Sequence, residues 1–193
     1  RVEYNRNFFK EITHINYFNK NVEFQGVDSI YTNNRGLPSD NISFNSSGDR
    51  LEKNSMLYDN NENVVQKKVF KFEEEWNLST VYTYQYDAFG RAISSVKEQI
   101  SFGGSKFDST SYTYDDMKNI NSQVEVFTVF KRNNFLTATT TYSLDGGKTN
   151  TETKFYEHEY NEQGYPVKTK ITSSVNSNDV KFKYNIIDCP KYN

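Results

Sequence analysis

Two histidines, His14 and His158, are the whole imidazole inventory of the 193 residues. A histidine base needs a Ser or Cys nucleophile and an orienting carboxylate within reach, and no G-x-S-x-G run supplies one. His158 lies between Tyr156 and Tyr160 on what reads as one strand face, so a structural role is expected for it. No His, Cys or Asp cluster has the spacing of metal ligands, and no cofactor is expected. The acidic runs Glu73-Glu74-Glu75 and Asp115-Asp116 could in principle supply the two carboxylates of a glycosidase. Both read as turn residues, where acids serve solubility. Asp115, Asp116 and Asn119 offer oxygen ligands for Ca²⁺, but an Asp-rich hairpin turn accounts for them without an ion. The single Cys189, beside Pro190, has no disulfide partner. A non-enzymatic protein is the expectation.

Aromatic residues carry the remaining chemistry. Trp76 is the one tryptophan, placed between Glu75 and Asn77 in what reads as a turn, where it could stack on a sugar or anchor a protein contact. Tyr82, Tyr84 and Tyr86, with Tyr112 and Tyr114, form a period-two ladder. Such a ladder is either an aromatic platform for an extended ligand or the packed face of a sheet held by cross-strand pairs. These six residues are the candidate ligand-binding set, and both readings stay open from sequence alone.

Composition narrows the elements that must position them. Tyr and Phe number 15 each, while the hydrophobic total is 35% and the mean hydropathy is −0.86. Tyr and Phe favour strands and tolerate a half-wet face, so thin sheet fits better than a thick core. Scarce Ala and abundant Asn, Ser and Thr disfavour helices, because those polar side chains compete for backbone hydrogen bonds. A net charge of −2 and a pI near 5.8 leave no footprint for nucleic acid. No apolar run approaches the length of a transmembrane helix.

A repeat organises the chain. In Tyr86-Asp87-Ala88-Phe89-Gly90 an aromatic ends a strand, Asp accepts backbone hydrogen bonds at the first turn position, and Gly takes the left-handed conformation of a type I turn with a G1 bulge. The same grammar recurs at Phe44 to Gly48 and Tyr160 to Gly164, and more loosely at Ile100 to Gly104 and Tyr142 to Gly146. A second turn type is expected at Tyr31 to Gly36, Tyr58 to Asn63, Phe72 to Asn77 and Tyr114 to Asn119, with Gly or Asn one position later. The aromatic anchors from Tyr4 to Tyr142 step mostly by 13 or 14 residues. Between turns the side chains alternate, as in Val180, Phe182 and Tyr184 against Lys181 and Lys183; Ile120 to Val129 is apolar on both faces. Phe8 to Phe18 fits a helix or a strand, and a strand is preferred.

One strand of about nine residues plus a tight turn makes successive strands hairpin neighbours. The expected fold is all-β: a single repeat-built domain over residues 1–193, an antiparallel meander of roughly 11 to 14 strands in a curved or spiralling single sheet. A closed up-and-down barrel is the alternative.

Tyr86-Asp87-Ala88-Phe89-Gly90-Arg91-Ala92-Ile93 resembles a YD repeat, the unit of bacterial wall-associated and toxin-encapsulating β shells. Tyr58-Asp59 and Tyr114-Asp115 keep the dipeptide without the glycine. The spaced aromatic units are also similar to small cell-envelope proteins of gut commensal bacteria, exported as secreted proteins or lipoproteins. Asp28-Ser29-Ile30 and Asp108-Ser109-Thr110 resemble a short O-glycosylation acceptor of such proteins. The resemblance implies a non-catalytic, exported protein of the periplasm or outer surface, lipid-anchored through a leader removed before Arg1. It implies a protein or glycan partner held on a curved aromatic surface. A half-barrel carrier of an apolar ligand and a membrane β-barrel are the alternatives.

Overall fold

The computed structural model describes residues 2–6, 12–102, 104–118, 133–143, 149–175 and 180–183. All described regular structure is strand: β1 Val2–Arg6, β2 Ile12–Phe18, β3 Phe24–Thr32, β4 Pro38–Asn45, β5 Arg50–Tyr58, β6 Val64–Phe72, β7 Trp76–Tyr86, β8 Ala92–Ser101, β9 Gly104–Lys118, β10 Asn133–Ser143, β11 Thr149–Tyr160, β12 Pro166–Ser173 and β13 Val180–Lys183. The strands hydrogen-bond in sequence order from β1 to β13, an antiparallel meander. That order does not bring β13 back to β1, so the closed barrel held as the alternative is not this topology. Among the described residues no helix is long and apolar enough to cross a membrane.

Residues 12–18 of the ambiguous Phe8 to Phe18 segment are strand, as preferred. Phe8, Gly103, the segment Asn119 to Phe130, Gly146, Tyr184 and Cys189 lie outside the described residues.

One turn recurs where two types were expected. At residues 19–23, 33–37, 45–49, 59–63, 87–91 and 161–165 the first residue is Asn or Asp, and its side-chain oxygen accepts the N–H groups two and four positions on. The first N–H donates to the carbonyl four on, and the N–H three on donates back. The left-handed residue is always the fourth: Gly36, Gly48, Gly90 and Gly164, but also Val22 and Glu62. Asn63 was expected in that role and instead closes the turn by donating its side-chain amide to Asp59 at 3.0 Å. The Asx side chain sets the turn, and the fourth residue adopts what the turn requires. At 73–75 a tighter connection replaces it, with Glu74 at φ 136 and Phe72 paired directly to Trp76.

Two compact units share the chain: residues 1–84 with 96–107, and residues 85–95 with 108–193. In the first unit, Tyr58 at the end of β5 donates its hydroxyl to the Pro38 carbonyl at 2.6 Å, just past the 33–37 turn. Burial pushes that phenol up to about 12. Arg35 donates to the Asp59 carbonyl at 3.0 Å, tying two turns together. Ile30, Asn41, Asn54 and Val69 are cross-strand neighbours in one buried row over β3 to β6. The carboxamide oxygens of Asn41 and Asn54 lack protein partners there. Among the described residues no large side chain falls below 2% exposure, so the sheet is held by cross-strand pairs rather than by a thick core.

Candidate functional site

The second unit gathers six rings on one sheet face. Tyr112 and Tyr114 on β9 each lie 5.2 Å, centroid to centroid, from Phe135 on β10. Phe135 lies 5.6 Å from Tyr156 on β11, and the row continues through His158 to Tyr160 at 6.5 and 5.8 Å. All six are half-buried. The spacings fall in the range of favourable ring pairs.

Phe135 reaches this face through a bulge. Tyr114 pairs with Phe135 and Thr113 with Thr137, so β10 spends two residues where β9 spends one. Strict alternation back from Ala138, the partner of Tyr112, would put Leu136 among the tyrosines. The extra residue is absorbed by Leu136, which is exposed, and Phe135 takes its place.

Three of the tyrosines are fastened at their hydroxyls. Tyr112 and Ser95 share a hydroxyl hydrogen bond of 2.8 Å, and Tyr114 donates to the Ala92 carbonyl at 2.6 Å. Ala92 follows the 87–91 turn as Pro38 follows the 33–37 turn, so Tyr114 and Tyr58 make the same fastening in different units. Tyr160 donates to Asp115 Oδ2. Asp115 also accepts from the backbone N–H groups of Met117 and Asn134 at 3.0 and 3.2 Å, and from the Asn134 side chain at 3.4 Å. Burial raises the Tyr114 and Tyr156 phenols, with neighbouring tyrosines adding to it, and burial plus the Asp115 bond raises that of Tyr160.

His158 Nε2 donates to the Phe135 carbonyl at 2.8 Å, because a carbonyl can only accept. In the neutral ring Nδ1 then accepts the Thr169 hydroxyl, also at 2.8 Å. Both nitrogens are engaged, in the structural role expected of this residue.

The opposite face of β9 to β12 carries threonine pairs and ion pairs, with Phe155 exposed among them. Thr113 and Thr137, Thr139 and Thr153, and Thr141 and Thr151 pair through hydroxyls at 2.7 to 3.1 Å. Lys168 pairs with Glu159, and Lys170 lies 3.9 Å from Glu157.

The six candidate residues are divided between the two units. Tyr112 and Tyr114 join the Phe135 row. Tyr86, half-buried at the end of β7, belongs to the same unit. Tyr82 and Tyr84 belong to the first unit, stacked at 6.4 Å, with Lys67 Nζ 5.9 Å from the Tyr82 ring centre. Trp76 is not in a turn; it opens β7 and packs edge-on against Phe72 at 5.1 Å. Asp115 and Asp116 likewise lie in β9 and not in a turn. Glu73 to Glu75 do form a turn. Among the described residues no three His, Cys, Asp or Glu side chains are grouped to hold a metal.

Neither a protein-family model nor a curated protein matches the sequence. Solved structures similar to it include a porin-like protein from Bacteroides uniformis ATCC 8492, at 9% identity and TM-score 0.49, covering 92% of this chain and 85% of that one. A TcdB2-TccC3-Cdc42 structure is similar over 97% of this chain and 10% of that chain, at 12% identity and TM-score 0.39. A TcdB2-TccC3 structure without the hypervariable C-terminal region gives 11% identity and TM-score 0.38, over 91% of this chain and 10% of that one.

Proposed function

We propose that this is a non-enzymatic, exported cell-envelope protein that binds a glycan on the aromatic face of its second unit. The observation that carries the reading is the Phe135-centred row of half-buried rings, three of which, Tyr112, Tyr114 and Tyr160, are fixed at their hydroxyl ends. Fastened rings lose little conformational entropy on binding, which favours stacking on a flat ligand. His158 and Asp115 spend their polar atoms on the protein itself, which supports a binding role over a catalytic one. Export rests on the sequence resemblance to envelope proteins. A membrane β-barrel would need a closed strand order, which the described strands do not form.

Affinity electrophoresis in gels containing a soluble polysaccharide tests the reading. The protein is expected to be retarded in at least one such gel. Phe135→Ala should cut that retardation about tenfold or more, since base-type stacking on one aromatic contributes about 1–3 kcal/mol. Equal retardation of wild type and Phe135→Ala would refute the site.

A further inference from the structure

We infer that the glycan held on the Phe135 row is a uronate polymer, and that Arg91 and Lys154 receive its carboxylate groups. The inference rests on the glycan reading above and adds the chemical class of the ligand. Arg91, the last residue of the 87–91 turn, stands beside Tyr114. Its guanidinium carbon lies 5.8 Å from the Tyr114 ring centre and 5.4 Å from that of Phe89, and its Nε donates to Asp87 Oδ2 at 2.7 Å. These contacts fix the group while using only its Nε. The N–H groups of both Nη atoms have no acceptor among the described residues. A planar guanidinium held in place with its Nη edge open is suited to bond a carboxylate through two parallel hydrogen bonds.

Lys154 lies on the other side of the row. It is two residues from Tyr156 on the same face of β11, and across the sheet the buried Ala138 is the one residue between it and Tyr112. Lys154 is exposed, and its ammonium makes no ion pair with any described residue. Carboxylates share the neighbourhood, so their commitments decide the balance. Asp87 accepts the Phe89 and Arg91 backbone N–H groups besides Arg91 Nε, and Asp115 accepts from Tyr160, Met117 and Asn134. Glu152 accepts the Ser173 hydroxyl at 2.7 Å, and Asp116 acts on the Arg91 charge from an exposed position. Their repulsion reaches a ligand through solvent, where salt screens it over about 8 Å, whereas a carboxylate bonded to Arg91 or Lys154 is in contact. The rings would take the face of the sugar, and the two cations the acid at its edge. A net charge of −2 gives the chain no general attraction for a polyanion, so retention by one would be local.

The test uses native gels containing polygalacturonate or alginate as uronate probes and dextran or laminarin as neutral ones, each read against a polymer-free gel. Retardation by a uronate polymer should be at least about tenfold stronger than by either neutral one. It should fall as salt rises from about 0.01 to 1 M, over which the screening length shrinks from about 30 to 3 Å. Arg91→Gln and Lys154→Gln should each weaken it about threefold to tenfold, and Arg91→Lys, which keeps the charge without the fork, should restore only part. Lys154 is exposed and bonds to no described side chain, so its variant should keep the wild-type thermal midpoint. Equal or stronger retardation of the wild type by a neutral polymer would overturn this inference and leave the glycan reading intact. So would a Lys154→Gln variant and a folded Arg91→Gln variant both retarded by the uronate polymers as wild type is. No retardation by any of the four polymers would overturn the glycan reading itself.

Discussion

Replacing Val22 by glycine should stabilise the protein. Val22 is the fourth residue of the 19–23 turn, at φ 65, and its N–H donates to the Asn19 carbonyl at 3.0 Å. In four sister turns that position is glycine. The left-handed region costs an L-residue about 1–2 kcal/mol, and a β-branched one sits at the upper end. Val22 is 54% exposed, so little burial is lost with its side chain. Glycine gives back about 0.5–1 kcal/mol through the greater freedom of its unfolded chain. The net gain is about 0.5–1 kcal/mol, or about 1–4 °C in Tm for a chain of this size. Gly48→Ala is the matched reverse. Its φ is 84 and nothing lies within 4 Å of the added Cβ, so the loss of about 1 kcal/mol is conformational, without a clash. Thermal unfolding followed by far-ultraviolet circular dichroism reads both. A Val22→Gly variant that melts lower than wild type, or a Gly48→Ala variant that melts higher, would refute the turn's left-handed demand as the cause.

Tyr58→Phe removes the hydroxyl bonded to Pro38 and should cost about 1 kcal/mol, measured by urea denaturation. Tyr58 also sets an alkaline limit. Its folded phenol is raised from 10.0 to about 12, so its contribution is complete below pH 10 and is lost as pH rises from 10 towards 12. Tyr58 is only half-buried, so solvent screening reduces the effect to about 1 kcal/mol, and Tyr58→Phe should flatten that part of a stability–pH curve. Asn41→Val with Asn54→Val replaces the two buried carboxamides whose oxygens lack protein partners, and should raise stability by about 1 kcal/mol in the same urea assay. A loss of more than about 1 kcal/mol would show that the bonds their amide nitrogens donate, from Asn41 to Asp28 at 3.5 Å and from Asn54 to Glu52 at 2.9 Å, outweigh the unpartnered oxygens.

The meander was legible because hairpin turns are local. Asp87, Asn45 and Asn161 announce their turns within five residues, and the alternation of Tyr82 and Tyr84 with Thr83 announces a two-sided strand. Reading Asn63 as the left-handed residue failed for a local reason. The turn geometry is fixed by the Asp59 carboxylate, and Glu62 accepts the strained conformation in spite of its side chain. Part of the aromatic site was also legible: the Tyr156, His158, Tyr160 spacing was visible, and so were Tyr112 and Tyr114. Phe135 was not, because period-two reasoning assigns it to the other face, and only the bulge at Leu136 moves it.

The sequence by itself determined the strand-and-turn order and the sidedness of most strands, since both depend on residues a few positions apart. Register across neighbouring strands was decided only in the tertiary structure. It placed Phe135 between Tyr114 and Tyr156, and brought Tyr160 to Asp115 across 45 residues. The physical reason is that one inserted residue in β10 exchanges the two faces of the chain beyond it, and the cost of that insertion is met by partners on β9 and β11 that no local pattern reveals.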